Sequence, residues 1–241
     1  PAVTRTDALG GRLVLVTGAS RGIGRRTAER LTEVGAEVWA AARSESLLEQ
    51  LAGETGARTL PLDLTDDTSV WSAVERVLEE SGGPPDVVVH AAGVFSVAPL
   101  ARETVKGFDR NVDVNLRGAF LLVRALLPAM LERGSGLLVN VGSVSGRRAF
   151  PGNAAYSASK YGLRGLHEVL LEELRGTGVR ATLLEPAATD TSIWDPLDPD
   201  ADPNLPDRSQ MLSPDDVAEA VLFLATRPPH VRVPVLSMEH A

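Results

Sequence analysis

The fold is decided by residues 13–24, LVLVTGASRGIG, where an apolar run passes directly into a glycine-rich loop. Gly18 permits a tight turn after a strand, and Gly22 and Gly24 let the backbone and a helix approach a pyrophosphate. A helix that begins here would offer free N–H groups and its positive dipole end to that anion. Because the glycines stand between an apolar strand and a helix, the stretch predicts dinucleotide binding rather than a plain turn. The loop residues expected at the dinucleotide are Gly18, Ser20, Arg21, Gly22, Ile23 and Gly24.

The same alternation of short apolar runs and longer amphipathic runs continues outward from this loop. The predicted strands are 13–17, 37–41, 58–62, 86–90, 136–141, 179–184 and 231–236. The predicted helices are 22–34, 44–53, 66–80, 105–132, 154–175 and 214–226. Regular alternation of this kind indicates a single α/β domain in which helices cover both faces of a parallel sheet. Several strands are apolar throughout, as strands buried on both faces should be.

Composition narrows the function. The chain has 241 residues, a formal net charge of −8 and no cysteine, which excludes disulfides, thiolate metal sites and a cysteine nucleophile. The acidic balance argues against nucleic-acid partners and anionic membranes. No run approaches the ~20 apolar residues of a membrane span, and residues 1–11 lack the apolar core of a signal peptide. We therefore expect a cytoplasmic protein without a membrane partner.

The end of the second predicted strand bears on the choice of dinucleotide. A cofactor with a free ribose 2′-hydroxyl calls for an acidic residue there, but the strand ends in Ala42, Arg43 and Ser44. Arg43 could instead bind a 2′-phosphate bidentately, with Ser20 and Arg21 approaching from the first loop. The alternative is a solvated arginine at a helix start, where a cation opposes the helix dipole unless an anion is bound nearby. The pattern favours NADP(H), with NAD(H) possible.

Residues 191–210 interrupt the pattern with four prolines and five aspartates. This composition predicts an irregular loop. It is either a solvated insertion or a substrate flap over a pocket, with Ile193 and Trp194 as apolar contacts, and its length favours the flap. Its acidic charge suggests that strongly anionic substrates are disfavoured.

Tyr156 and Lys160 are four residues apart and so share one face of a predicted helix. The chain has only two lysines, Lys106 and Lys160, and lysine, unlike arginine, has a pKa that shifts readily. A tyrosine and lysine at this spacing are weak evidence alone. Ser143, however, follows an apolar strand at the sheet edge where open α/β folds build their sites, and Asn115 lies among apolar residues of a helix. Neighbouring Tyr161 is rotated off the shared face and is expected to pack.

Taken together, these motifs resemble the short-chain dehydrogenase/reductase family in its compact single-domain branch. The matching stretches are TGASRGIG at 17–24, DL at 63–64, AAG at 91–93, Asn115, Ser143, YSASK at 156–160 and PAATDT at 186–191. The resemblance implies a Rossmann-type doubly wound, seven-stranded sheet, NAD(P)-dependent chemistry on a small or medium carbonyl or alcohol, and a homodimer or homotetramer. It implies a catalytic tetrad of Asn115, Ser143, Tyr156 and Lys160. It extends the cofactor contacts to Asp63, Leu64, Ala91, Ala92, Gly93, Tyr156, Lys160, Pro186, Thr189 and Thr191.

The expected chemistry follows from these residue types. Tyr156 would exchange a proton with the substrate oxygen, and Lys160 with the oxidised nicotinamide would lower its pKa from the ordinary ~10. Lys160 would also bind the ribose, Ser143 would polarise the carbonyl, and the resemblance gives Asn115 a water of a proton relay. The chain departs from the family at His90-Ala91, where Asn-Asn is usual, and at Ala187 in place of glycine. His90 is expected to be a packed structural histidine.

Two other functions stay open on the sequence. A non-catalytic dinucleotide-sensing protein could keep the fold, although such a protein would be expected to have a damaged tetrad. A sugar-nucleotide epimerase or dehydratase of the family's longer branch is disfavoured by the compact length and the spacing of the glycine loop.

Overall fold

Seven parallel strands form one sheet in the computed structural model, which describes residues 8–202 and 205–241. The strand order is β3-β2-β1-β4-β5-β6-β7. The strands are β1 Leu13–Thr17, β2 Glu37–Ala42, β3 Arg58–Pro61, β4 Val87–His90, β5 Gly136–Val141, β6 Val179–Pro186 and β7 Val235–Met238. The predicted doubly wound fold is thus confirmed. The expectations for residues 1–7 and for positions 203 and 204 of the flap lie outside the described residues.

Helices cover both faces of the sheet because each buries an apolar stripe against it. They are α1 Gly22–Glu33, α2 Glu45–Thr55, α3 Asp67–Ser81, α4 Val105–Val112, α5 Gly118–Arg133, α6 Ala154–Glu173 and α7 Pro214–Ala225. One apolar cluster joins the sheet to α1, α2 and α7, and a second joins its other face to α3, α5 and α6. The strands between the two clusters are buried on both sides, as their continuous apolar runs predict.

The functional edge of the sheet is set by its order. β1 pairs with β2 on one side and with β4 on the other, so the chain winds outward in opposite directions from the β1–β4 pair. At such a switch point the loops after the two strands separate and leave a crevice at the carboxyl ends. The glycine loop after Thr17 and the AAG loop after His90 form that crevice, since Thr17 and His90 are register partners.

The predicted helix over 105–132 is interrupted. α4 and α5 are joined by a π-helical stretch, Asp113–Arg117, which carries the fully buried Asn115. Single π turns within helices occur often at functional sites. The stretch Val105–Arg133 is apolar enough to span a membrane by composition alone, but half of its most apolar window is buried inside the protein. Packing against the sheet accounts for that composition.

β7 begins four residues later than predicted. Pro234 has no N–H to donate, and its carbonyl instead accepts from the N–H of Leu183 before the ladder starts at Val235. The strand then runs to Met238 beside the end of β6. The C-terminal residues are thereby carried to the carboxyl edge of the sheet.

Candidate active site

A cavity of about 1090 Å³ opens at the carboxyl ends of the strands. Its size suits a dinucleotide or a large ligand, since ligand sites typically occupy several hundred cubic ångströms. Every site residue expected from the sequence lies on its wall except Gly24 and Asn115, which lie behind it. The first loop, the ends of β2 and β3, the AAG loop, the Ser143 loop, α6 and the start of the flap all contribute to the wall.

Two glycines of the first loop have no room for a side chain. Gly18 has φ +71°, and a Cβ there would lie 2.7 Å from the Cα of Ala92. A Cβ on Gly24 would collide with the carbonyl of Gly18, so Gly24 lets α1 approach β1 and does not itself face the cavity. The N–H groups at the start of α1 are therefore free to meet a phosphate, which is the fit that a dinucleotide requires.

The cavity end near β2 and β3 is basic. Arg21 and Arg43 line it, and neither side chain has a hydrogen bond or ion pair with another described residue. Asp63 lines the same region, and Thr65 donates to it from its N–H at 2.9 Å and its hydroxyl at 2.7 Å. Burial works to raise the pKa of Asp63, but the bonds from Thr65 and nearby Arg43 lower it overall. Asp66, not Asp63, caps α3.

Ser143 and Tyr156 are brought together at the other end. Ser143 Oγ accepts the N–H of Ser145 at 3.1 Å, which leaves its hydroxyl proton free to donate. Burial raises the pKa of Tyr156 to about 12, and a hydrogen bond with Ser143 opposes part of that shift. The lowering expected from Lys160 together with an oxidised nicotinamide stays a prediction. Tyr156 is only partly exposed at the cavity wall, and no charge among the described residues offsets its loss of hydration.

Lys160 is buried and lies beside Tyr156. Its Nζ donates to the carbonyl of Val141 at 2.9 Å and lies 5.7 Å from the centre of the Tyr156 ring. Burial lowers the pKa of Lys160 to about 8. Of the three ammonium hydrogens, one has a partner among the described residues. Two donors remain for a ligand at the cavity wall.

Asn115 acts as a brace between elements. Its Oδ1 accepts from the N–H of Val94 at 2.8 Å, and its Nδ2 donates to Val94 O at 2.9 Å and to Ser159 Oγ at 3.0 Å. Ser159 in turn donates to the carbonyl of Tyr156 at 2.7 Å. Both amide hydrogens and one lone pair of Oδ1 are thus used by protein groups. The side chain thus fixes α6, and with it Tyr156, against the loop after β4.

His90 is buried at the end of β4, as the sequence predicts for a packed histidine. Its Nδ1 lies 3.1 Å from Thr17 Oγ1, so it links the first two strands of the crevice. Its Nε2 has no partner among the described residues. Burial, with a smaller effect from the charge of Lys160, lowers the pKa of His90 to about 3, so the ring stays neutral.

Aromatic residues enclose the site next to Tyr156. Phe95 makes edge contacts with Tyr156, at 4.8 Å between ring centres, and with Trp194 of the flap, at 4.9 Å. Trp194 is buried and donates its Nε1–H to Thr189 O at 3.1 Å. The flap is irregular, with short 3₁₀ turns at Asp195–Leu197 and Arg208–Gln210. Ile193 lines the cavity with Trp194, as the sequence suggests.

Sequence reasoning missed a buried acid below the site. Glu185 on β6 accepts from Arg164 of α6 at 2.7 and 2.8 Å and from Ser237 of β7 at 3.2 Å. A glutamate within the apolar run TLLEP could have indicated this site, because a carboxylate buried in a strand needs polar partners.

The expectation that Tyr161 packs is wrong, since 46% of its surface is exposed.

Comparison with known proteins agrees with this arrangement. The family model described as short chain dehydrogenase matches residues 12–202. An uncharacterized oxidoreductase of Staphylococcus aureus is 34% identical over 225 residues, covering 92% of this chain and 94% of that protein.

Solved structures are similar over nearly the whole chain. A metagenomic short-chain oxidoreductase in complex with NADP has a TM-score of 0.82 and 32% identity, with 96% of this chain and 98% of that chain covered. Ribose-5-phosphate isomerase from Brucella melitensis has a TM-score of 0.90 and 31% identity, with coverages of 98% and 93%. The sheet order, the glycine loop and these matches show that the chain belongs to the short-chain dehydrogenase/reductase family of oxidoreductases.

Proposed function

We propose that this oxidoreductase transfers hydride between NADP(H) and a carbonyl or secondary alcohol of a small or medium organic substrate. The observation that carries the proposal is the shared wall: Ser143, Tyr156 and Lys160 line the same cavity as the glycine loop. A bound nicotinamide would supply or accept the hydride. The chain's own residues then have to hold the cofactor, orient the substrate and move one proton.

Tyr156 is proposed to donate the proton to the substrate oxygen. Within the buried site its phenol stays protonated, because burial raises its pKa to about 12. A substrate oxygen placed between the Tyr156 and Ser143 hydroxyls could accept a hydrogen bond from each. As negative charge develops on that oxygen during reduction, the phenol proton passes to it. The reverse direction requires the phenolate.

Lys160 supports both steps. Two of its ammonium hydrogens have no partner among the described residues and are available to ribose hydroxyls, and its positive charge favours the tyrosinate that forms when the proton leaves. The positive charge of an oxidised nicotinamide acts in the same direction. The lowering of the Tyr156 pKa is thus proposed to arise in the loaded enzyme.

The preference for NADP(H) rests on charge at the far end of the cavity. Arg21 and Arg43 line it without ion-pair partners among the described residues, and β2 ends in Ala42 without a carboxylate. A 2′-phosphate would pair with these guanidinium groups. The flap, 191–210, is proposed to close the substrate end through Trp194.

The test begins with binding. NADPH and NADH are titrated by fluorescence against the wild type, Arg43→Gln and Arg124→Gln, a surface variant away from the cavity. We expect the wild type and the control to bind NADPH at least about tenfold more tightly than NADH, and Arg43→Gln to lose most of that preference. Equal affinity of the wild type for both cofactors would contradict the preference.

Turnover is then measured as NADPH oxidation over a panel of aldehydes and ketones, with alcohols and NADP⁺ for the reverse direction. Reduction of members of the panel is the expected result. NADPH binding without turnover of any carbonyl or alcohol would instead favour a dinucleotide-sensing protein on the same fold.

A further inference from the structure

One cation on the substrate side of the cavity has no neutralising partner in the part of the chain that the structure describes. Arg148 lies five residues after Ser143 on the same loop and lines the cavity. The Arg148 guanidinium lies 5.6 Å from the Phe150 ring, and this side chain makes no hydrogen bond or ion pair with another described residue. The adjacent Arg147, by contrast, donates to Glu239 at 2.6 Å and lies 3.5 Å from Glu185. The first arginine of the pair is thus used by the fold, and the second is left for a ligand.

The aspartates in and next to the flap that bind Arg208 or Ser209 do not neutralise the Arg148 guanidinium. Arg208 binds Asp190 and Asp195 through its guanidinium, and its own N–H donates to Asp200 at 3.0 Å. Asp207 accepts the N–H of Ser209 at 2.7 Å. None of these four aspartates is on the cavity wall. The expectation that the flap disfavours strongly anionic substrates stays a prediction, and these four carboxylates do not support it, because they are held by Arg208 and by local turns and are not on the cavity wall.

The remaining ionisable groups at this end are also engaged. Asp202, Glu239 and His240 line the cavity. Glu239 is paired with Arg147, His240 Nδ1 lies 3.0 Å from Ala241 O, and Asp202 is not free. Among the described residues of the substrate side, Arg148 is the charged group left without a polar partner.

The cavity that Arg148 lines also has apolar residues on its wall, and half of those named next are aromatic. The residues concerned are Phe95, Val97, Phe150, Ile193, Trp194 and Leu205. Phe95 contacts Tyr156 directly, so a substrate whose carbonyl reaches the tyrosine has apolar surface beside it. A ligand that satisfies both features has an apolar body and one anionic group.

We propose that the substrates are carbonyl compounds that carry a carboxylate on an apolar body of aromatic size, with Arg148 binding the carboxylate. The inference rests on the function proposed above and specifies its substrate class. A guanidinium presents paired N–H donors that match the two oxygens of a carboxylate. In the reaction the carbonyl carbon would take the hydride that bound NADPH supplies, its oxygen would take the proton of Tyr156, and the carboxylate would be unchanged.

The preference for a carboxylate substrate is expected to be moderate, because Arg148 is exposed and solvent screens its charge. About a tenfold preference, or ~1.4 kcal/mol, is the scale of one such contact. It should be found mainly in KM, since the carboxylate is bound equally in the ground state and the transition state.

The test compares acids with their own methyl esters. The meta and para formylbenzoates and phenylglyoxylate are assayed with NADPH, each beside its ester, using the wild type, Arg148→Gln and Arg124→Gln. Arg124 is the matched control, because it also lies over a ring, that of Trp71 at 5.3 Å, but away from the cavity. We expect at least one acid to exceed its ester about tenfold in kcat/KM in the wild type and the control. In Arg148→Gln the ratio should fall to near one.

Two results would overturn the inference while leaving the proposed function intact. Esters used as well as the acids in every pair would show that no carboxylate site exists. An acid preference that survives in Arg148→Gln would place that site elsewhere. Failure of the wild type to turn over acids and esters alike is a different outcome. It would count against the carbonyl-reducing function itself, because the esters do not need Arg148.

Discussion

Replacement of Lys160 by methionine should stabilise the protein and inactivate it. Burial lowers the pKa of Lys160 from its ordinary 10.5 to about 8. At about 1.4 kcal/mol per pKa unit, holding the ammonium charged in the fold costs roughly 3 kcal/mol at pH 7. Methionine removes that cost but leaves the Val141 carbonyl without its hydrogen bond, which costs about 1–2 kcal/mol. The net gain of about 1–2 kcal/mol corresponds to a rise in Tm of about 2–8 °C.

The pH dependence gives this prediction its sign. Below pH 8 the lysine is charged in both the folded and unfolded states, so the wild type bears the whole cost. Between pH 8 and 10.5 the folded state gives up the proton first, and the cost disappears as pH rises. The stability advantage of Lys160→Met should therefore be full at pH 7 and absent near pH 10.5.

The assay is urea unfolding and thermal melting of the wild type, Lys160→Met and the exposed control Lys106→Met at both pH values. Lys106→Met should change stability by less than about 0.5 kcal/mol. NADPH-dependent turnover is measured on the same samples and should be lost in Lys160→Met alone. The account of Lys160 would be refuted if Lys160→Met were less stable than the wild type at pH 7, or if its advantage did not change with pH.

Two further predictions concern the crevice. Gly24→Ala should destabilise the protein by about 1–3 kcal/mol and weaken NADPH binding, because the new Cβ would collide with the Gly18 carbonyl. The control Gly53→Ala, in open space within α2, should be neutral or stabilising. Equal effects of the two substitutions in urea unfolding would contradict the packing argument. Stability should fall as pH drops from 6.5 towards 3, because the unfolded chain protonates a histidine that burial keeps neutral in the fold. His90→Gln should reduce that slope by about one proton between pH 4 and 6 in urea titrations, whereas the exposed His230→Gln should leave it unchanged; identical slopes for wild type and His90→Gln would count against the buried neutral ring.

Much of the fold could be predicted because the alternation of apolar strands and amphipathic helices is local. The position of the crevice could also be predicted from the glycine loop at 13–24. Gly18 and Gly24 stand where the fold leaves no room for a Cβ, and glycines at this spacing after a strand indicate such a turn. The local sequence pattern did not predict features that depend on which backbone groups pair with each other. The π-helical stretch Asp113–Arg117 has an ordinary helical composition, and the start of β7 depends on where Pro234 meets β6.

The electrostatics of the site could be predicted less well. Spacing placed Tyr156 and Lys160 together, but the direction of the Tyr156 pKa depends on how completely the folded chain encloses the phenol. From the sequence, the aspartates of the flap suggest a negatively charged surface. The sequence does not show that Arg208 pairs with Asp190 and Asp195, because the fold brings these residues together. Arg148 gave no signal of its own, since only tertiary structure shows which arginines lack partners.

The most direct test of the central claim, that the phenol of Tyr156 delivers the proton, is the turnover of Tyr156→Phe. The variant keeps the ring that contacts Phe95 and removes only the hydroxyl. We expect kcat to fall by about 10²–10⁴ on every carbonyl that the wild type reduces, while NADPH affinity by fluorescence changes less than about threefold. Turnover by Tyr156→Phe within about twofold of the wild type would contradict the account.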